Sequence, residues 1–186
     1  MLNSELSGLI NAARAVERDA TAEFGSLNYE QLNWKPDARS WSVGQCFDHL
    51  IVANKQIPGI VGAHIDGTHR KTVFERLPFA PKFFGKQIYN AVRPESPRKI
   101  KAPRGFEPTS SAVDADVVAK FATSQRAVIE LMQRSAPLDL HKTVVTSHLS
   151  RFVTYTMFDA YRIAITHARR HFRQARSVVK MPGFPE

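Results

Sequence analysis

Residues 166–174 read T-H-A-R-R-H-F-R-Q. His167 and His171 stand four apart, and on a helix such residues share a face with Cβ atoms roughly 5 to 6 Å apart. Two imidazoles so placed reach one ion at about 2.0 to 2.1 Å from each nitrogen. The pair is a candidate half-site, and a third ligand must come from elsewhere. The helix that carries it is predicted over residues 154–179. Met157, Ala160, Ala164, His167, His171, Gln174 and Val178 fall on one three-four stripe, and Tyr161, Ile165, Ala168, Phe172 and Ala175 widen it. The histidines therefore sit amid an apolar face, while the arginines at 162, 169, 170, 173 and 176 lie mostly off it.

Outward from this helix the same periodicity recurs. Residues 2–27 place Leu2, Leu6, Leu9, Ala13, Val16, Ala20, Phe24 and Leu27 on an amphipathic stripe. Residues 28–42, with Trp34, Pro36, Asp37 and Trp41, read as a loop, and Ser40 or Ser42 is placed to cap the helix that follows. That second helix starts at Val43, with Val43, Phe47, Leu50 and Ile57 on one line and Cys46, His49 and Ala53 beside it. Pro58 and Gly59 bend or break it, with a continuation to Ile65. Residues 74–111 carry six prolines around one short apolar pattern, Phe83, Phe84, Ile88, Tyr89 and Val92. A short helix is expected there, then an extended basic segment at 93–108 that Phe106 anchors to the core; so long a connection is usually functional. A third long helix, capped by Ser111 or Asp114, carries Val117, Phe121, Val128 and Leu131 and ends near Ser135, before Pro137. Residues 138–152 are rich in β-branched side chains and suit a short strand pair, but nothing fixes one, and they read as a connection. Four long helices imply an all-α fold, an up-down four-helix bundle with a long proline-rich connection between helices 2 and 3.

A chain of 186 residues is most economically one domain, 1–186. The apolar share of 43% with 23% charged residues excludes a disordered or fibrous chain. No apolar run is long enough to span a bilayer, and the first residues lack the apolar block of a signal peptide. No membrane partner is expected, and a cytoplasmic location is. The lone Cys46 excludes an intrachain disulfide and fits a reducing compartment. The net charge of +9 lies in the proline-rich middle and the last helix, matches no nucleic-acid module, and reads as a solvated basic surface. No nucleic-acid partner is expected.

Leaving a buried polar atom unsatisfied costs about 1 to 3 kcal/mol, so two imidazoles on a core stripe need partners. Bundle interiors commonly assemble metal sites from facing helices. His49, beside the apolar line of its own helix, is the best third ligand. Three neutral nitrogens suit zinc, nickel, iron or copper and leave a coordination position free. The spacing is that of the zinc-protease motif H-E-x-x-H, but Ala168 stands where its glutamate base belongs, and that class is rejected. Cys46, one turn before His49, reads as a core residue rather than a fourth ligand. His64, His69, His141 and His148 have no helical partner at ligand spacing and read as surface or loop residues.

The stretch W-S-V-G-Q-C-F-D-H-L at 41–50, followed more than a hundred residues later by H-A-R-R-H-F-R-Q at 167–174, resembles the DinB-like (YfiT-like) superfamily of four-helix-bundle metalloenzymes. The resemblance spans nearly the whole chain. It implies that His49, His167 and His171 bind one divalent metal, with Gln174 at the position of a glutamine that commonly follows. It also implies transfer or isomerisation chemistry with low-molecular-weight thiols such as bacillithiol or mycothiol, the metal lowering the thiol pKa. The function expected is thus a thiol transferase or hydrolase acting on a small-molecule substrate, with zinc, nickel or iron and a thiol as cofactors. The alternative is a non-catalytic bundle with structural or absent metal that acts through a homodimer or another partner. Fold alone does not choose between them.

Overall fold

A computed structural model describes residues 4–96, 102–103 and 105–186. Leu2 of the first stripe and Pro97, Arg98, Lys99, Lys101 and Arg104 of the basic segment lie outside the described residues. The chain is mostly helical with one small antiparallel sheet. Helix α1 (Ser4–Phe24) buries Leu6, Leu9, Ala13, Val16, Ala20 and Phe24 of its predicted stripe, with Ile10 beside them. Helices α3 (Val43–Asn54), α6 (Val117–Arg134) and α7 (Met157–Val179) complete the main layer. Contacts run from α1 to α6, α6 to α3, α3 to α7 and α7 back to α1, so the four apolar faces close on one another. At their centre each contributes one phenylalanine. Phe24, Phe47, Phe121 and Phe172 meet with ring centroids 5.2 to 5.8 Å apart in edge-on or tilted pairs, each contributing about 0.5 to 1.5 kcal/mol beyond area burial. Phe172 adjoins His171 and Phe47 lies two before His49, so this knot sets the height at which the two histidine-bearing helices face each other.

Three expectations need correction. The loop at 28–42 contains a short helix, α2 (Tyr29–Asn33), closed by a capping box between Asn28 and Gln31; at five residues it is too short to show a stripe. Neither Ser111 nor Asp114 caps α6: Asp116 precedes it without a side-chain cap, and the carboxylates of Asp114 and Asp116 are held by Lys120 at 2.6 and 2.9 Å. The fold is also not purely helical. Strands β1 (Val144–Ser147) and β2 (Ser150–Thr156) pair antiparallel, with Val145 opposite Tyr155. The second strand takes the first three residues expected for α7, and the Thr156 hydroxyl accepts the Asp159 N–H at 3.0 Å to start that helix. A lone hairpin is marginal in water. This one is supported from outside by the 3₁₀ turn Phe74–Arg76 and helix α5 (Ala80–Val92), with Phe74 edge-on to Phe152 at 4.8 Å.

Other local expectations hold. Ser42 and Gln45 form the capping box of α3. Within that box Gly44 is required by packing: a Cβ there would lie 2.9 Å from the Leu32 carbonyl oxygen and run into Val113. Helix α4 (Ile57–Ile65) follows a break at Lys55 and Gln56, and Pro58 falls in its first turn, where the missing N–H costs nothing. The short helix expected near Phe83 is α5. The start of the basic segment is tied to α7: Arg170 donates to the carbonyls of Arg93 (2.7 Å) and Ser96 (3.3 Å), and Arg173 to that of Pro94 (2.8 Å). No helix among the described residues is long and apolar enough to cross a membrane.

Candidate metal centre

His49 comes from the middle of α3, and His167 and His171 from the face of α7 that meets it. His49 and His171 are buried and His167 is half-buried. The ring centroids are 4.6 to 5.0 Å apart. The Nε2 atom of His167 lies 3.1 Å from Nε2 of His49 and 3.1 Å from Nε2 of His171. Two nitrogens at about 2.0 to 2.1 Å from one ion, with tetrahedral or smaller angles between them, stand about 3 Å apart, so the spacing is that of ligands around a shared centre.

The Nδ1 of His49 meets the carbonyl oxygen of Phe106, which only accepts, so that nitrogen carries the proton. In a neutral ring its Nε2 is then a lone pair facing the other two histidines. An imidazole nitrogen offers one hydrogen or one lone pair, never both, so His167 Nε2 matches at most one of its two neighbours. A cation between the rings matches all three. The Nδ1 of His171 is also buried with no hydrogen-bond partner among the described residues.

Burial is the first cause of depressed basicity at all three. It brings His167 down to about 3, with the charges of His49 and Arg170 adding to the effect. His171 goes well below its ordinary value for the same reasons, against a small opposing contribution from the Gln174 side chain. His49 is lowered by burial and partly restored by the Phe106 carbonyl and Asp48. All three are thus neutral near pH 7, the form in which imidazole binds metal.

The surroundings hold the rings in place. Trp41 stacks on His171 (5.7 Å, 19°) and tilts against His49 (5.1 Å). Beyond it the far end of the proline-rich connection is fastened to α3. Thr109 donates through N–H (2.5 Å) and hydroxyl (2.8 Å) to Asp48, and Gln45 donates to the Ser110 carbonyl at 3.0 Å. Phe106 is half-buried and lines the cavity beside the histidines rather than joining the core cluster. What no side-chain pattern could announce is that its main-chain oxygen sets the His49 tautomer. The contact of Trp41 had a visible signal, a tryptophan flanking the motif, but not its target.

The histidines open on a cavity of about 990 Å³. No carboxylate occurs among the described residues that line it, and Arg39, Arg170 and Arg173 do. Cys46 is not part of it; the thiol is in the core, where burial pushes it up to about 12. Of the remaining histidines, His141 is exposed and paired with Glu5 at 3.0 Å, and His148 is exposed at the cavity edge. His64 and His69 depart from the expectation of surface residues. They are half-buried, stacked at 3.6 Å, and close enough to Glu75 to form a second group of metal-ligand type. Helical spacing could not reveal them, because His69 lies past the end of α4.

With this geometry in hand, comparison with known proteins is informative at one level. A family model described as the DinB superfamily matches residues 12–175. No curated protein and no solved structure matches the chain.

Proposed function

Since the chain belongs to the DinB superfamily, we propose that it is a metal-dependent enzyme of the thiol transferase or hydrolase type, built as one up-down four-helix-bundle domain over residues 1–186. In this reading His49, His167 and His171 hold one divalent ion, zinc, nickel or iron. The supporting observation is the convergence of three neutral imidazoles whose hydrogen-bonding capacity cannot be met by one another. When bound, the metal supplies Lewis acidity that lowers the pKa of a thiol or water brought to it.

The chain's own residues do the rest. His49 is fixed in one tautomer by the Phe106 carbonyl, and His171 is held by the Trp41 ring, so the ligand set is oriented before anything binds. The lining without carboxylates favours a nucleophile that needs no base, which is the property of a thiolate. Arg39 and Arg173 at the cavity draw in an anionic cosubstrate. The bulk of the cavity remains for a small electrophile.

Elemental analysis of protein purified without chelator tests the reading. About one metal per chain is expected. Below about 0.2 per chain, with no uptake on adding zinc or nickel, the metalloenzyme reading is lost and the non-catalytic alternative stands.

A further inference from the structure

The cavity is not uniform along its length. Its lining follows α7 from Ala160 to Val178, about 27 Å of helix axis, with His167 and His171 between the ends. Towards the C-terminal side of α7 the lining includes Arg170, Arg173, Gln174 and Ser177, together with Arg39 and Ser40 from the loop before α3. Towards the N-terminal side it includes six aliphatic residues, Ile163 and Ala164 of α7, Ile57 and Ile60 of α4, and Ile88 and Ala91 of α5, with Gln56 and His148 also on the lining near α4. Of these six, all but Ile57 are only half-buried, so aliphatic side chains from three helices face one another across open space instead of closing on it. Interiors are packed to near-crystalline density with few voids larger than a water molecule, and ligand pockets of roughly 300 to 1,000 Å³ with mostly apolar walls are where that rule is suspended.

We propose that this apolar half binds an unbranched alkyl chain of medium length on the electrophilic substrate, with its reacting head group at the three histidines and any anionic group on the arginine side. The assignment rests on the reading of the histidines as the reacting centre, and it adds the substrate class that reading leaves open. The direction of the chain follows from charge: the arginines of the described lining, Arg39, Arg170 and Arg173, serve a carboxylate or phosphate, whereas among Ile57, Ile60 and Ile163 such a group would meet no arginine and an apolar tail loses nothing. A compact polar electrophile would leave the same wall wet.

Chain length is the measurement. Metal-loaded protein is titrated calorimetrically with acetohydroxamate, butanohydroxamate, hexanohydroxamate and octanohydroxamate, and chelator-treated protein with the carboxylates of the same chain lengths. The expected result is a tightening of about three- to fourfold per added methylene in both series, with a flattened slope in Ile60→Trp, which fills the far wall, and an unchanged affinity for acetohydroxamate. Ala91→Leu repeats the test from α5 should the tryptophan disturb folding as seen by circular dichroism. Affinity independent of chain length in the wild type overturns the proposal, as does an equal slope in both filled variants. Failure of the metal reading looks different: hydroxamates then bind no better than carboxylates at any length, while the carboxylate series still decides whether the chain has a site.

Discussion

Two groups of three metal-ligand side chains come together among the described residues, with ligand atoms within 4.8 Å of one another. They are built on opposite principles. In His64, His69 and Glu75 the carboxylate is saturated by protein. One oxygen accepts from His69 Nε2 (2.8 Å) and the Thr72 N–H (2.8 Å), and the other from the Thr146 hydroxyl (2.6 Å). Burial raises the Glu75 pKa, but the Thr146, Thr72 and His69 contacts together outweigh it and hold the group below its ordinary value. The two imidazoles lie face to face, 25° from parallel, so their in-plane lone pairs run alongside each other instead of converging. The group is a knot that ties the loop after α4 to strand β1. In His49, His167 and His171 the rings stand at 61° to 85°, the nitrogens converge, and hydrogen bonding is left unmet. Proximity of ligand-type atoms is therefore a poor criterion for a metal site; unmet demand at a common point is a better one.

The largest test of that contrast is loss of ligand. His167→Ala and His171→Ala should each abolish stoichiometric metal binding with helix content retained by circular dichroism, and His64→Ala should leave it intact. Metal loss in the His64 variant with retention in the other two would reverse the assignment.

Acidification should come next in size. His49, His167 and His171 are all shifted down, so between their ordinary value near 6.5 and their lower folded values the unfolded chain binds more protons than the folded one. Stability of the chelator-treated protein is then full above about pH 6.5 and falls as pH drops, by at most about 1.4 kcal/mol per unit for each group. Glu75 adds a loss of the same sign only below its ordinary 4.5. His64 is shifted down as well, so urea midpoints at pH 7.5 and 5 in wild type and His64→Ala assign the drop. A pH-independent midpoint would show that the cluster accepts protons when folded.

Glu75→Gln should separate the groups by kind. Its side chain has no exposed surface; an amide nitrogen fits only against the Thr146 hydroxyl, which must then accept instead of donate, and the charge that strengthens the His69 and Thr72 contacts is lost, so a loss of about 1 to 3 kcal/mol in urea stability is expected with unchanged metal content. The smallest effect belongs to Thr109→Val. Removing the hydroxyl bond to Asp48, with the main-chain N–H bond kept, loosens the segment that presents the Phe106 carbonyl, and metal affinity should fall by at most about tenfold, the low end of what lost support around a ligand costs. Thr109→Ser keeps the hydroxyl and should bind as wild type; a competition assay with a chromophoric chelator reads both.

Periodicity alone determined the long helices to within a few residues of their ends, their buried faces and the shared face of His167 and His171, because these depend on backbone geometry within a few residues. The cap at Ser42, the missing glutamate at Ala168 and the core position of Cys46 were legible for the same local reason. The strand pair at 144–156 was not, since β-branched composition suits it but its stability comes from packing against α4, α5, α7 and the turn at Phe74. Nor was the His64, His69 and Glu75 knot, whose members share no helix. His49 was legible as a candidate on its helix, yet its approach across 118 residues to His167 required four apolar stripes to close on one phenylalanine cluster. Its tautomer depends on a main-chain oxygen that every residue type carries. Tertiary structure decided where the lone pairs meet, because hydrogen-bond demand is set by neighbours in space, and neighbours in space are chosen by the burial of whole helix faces.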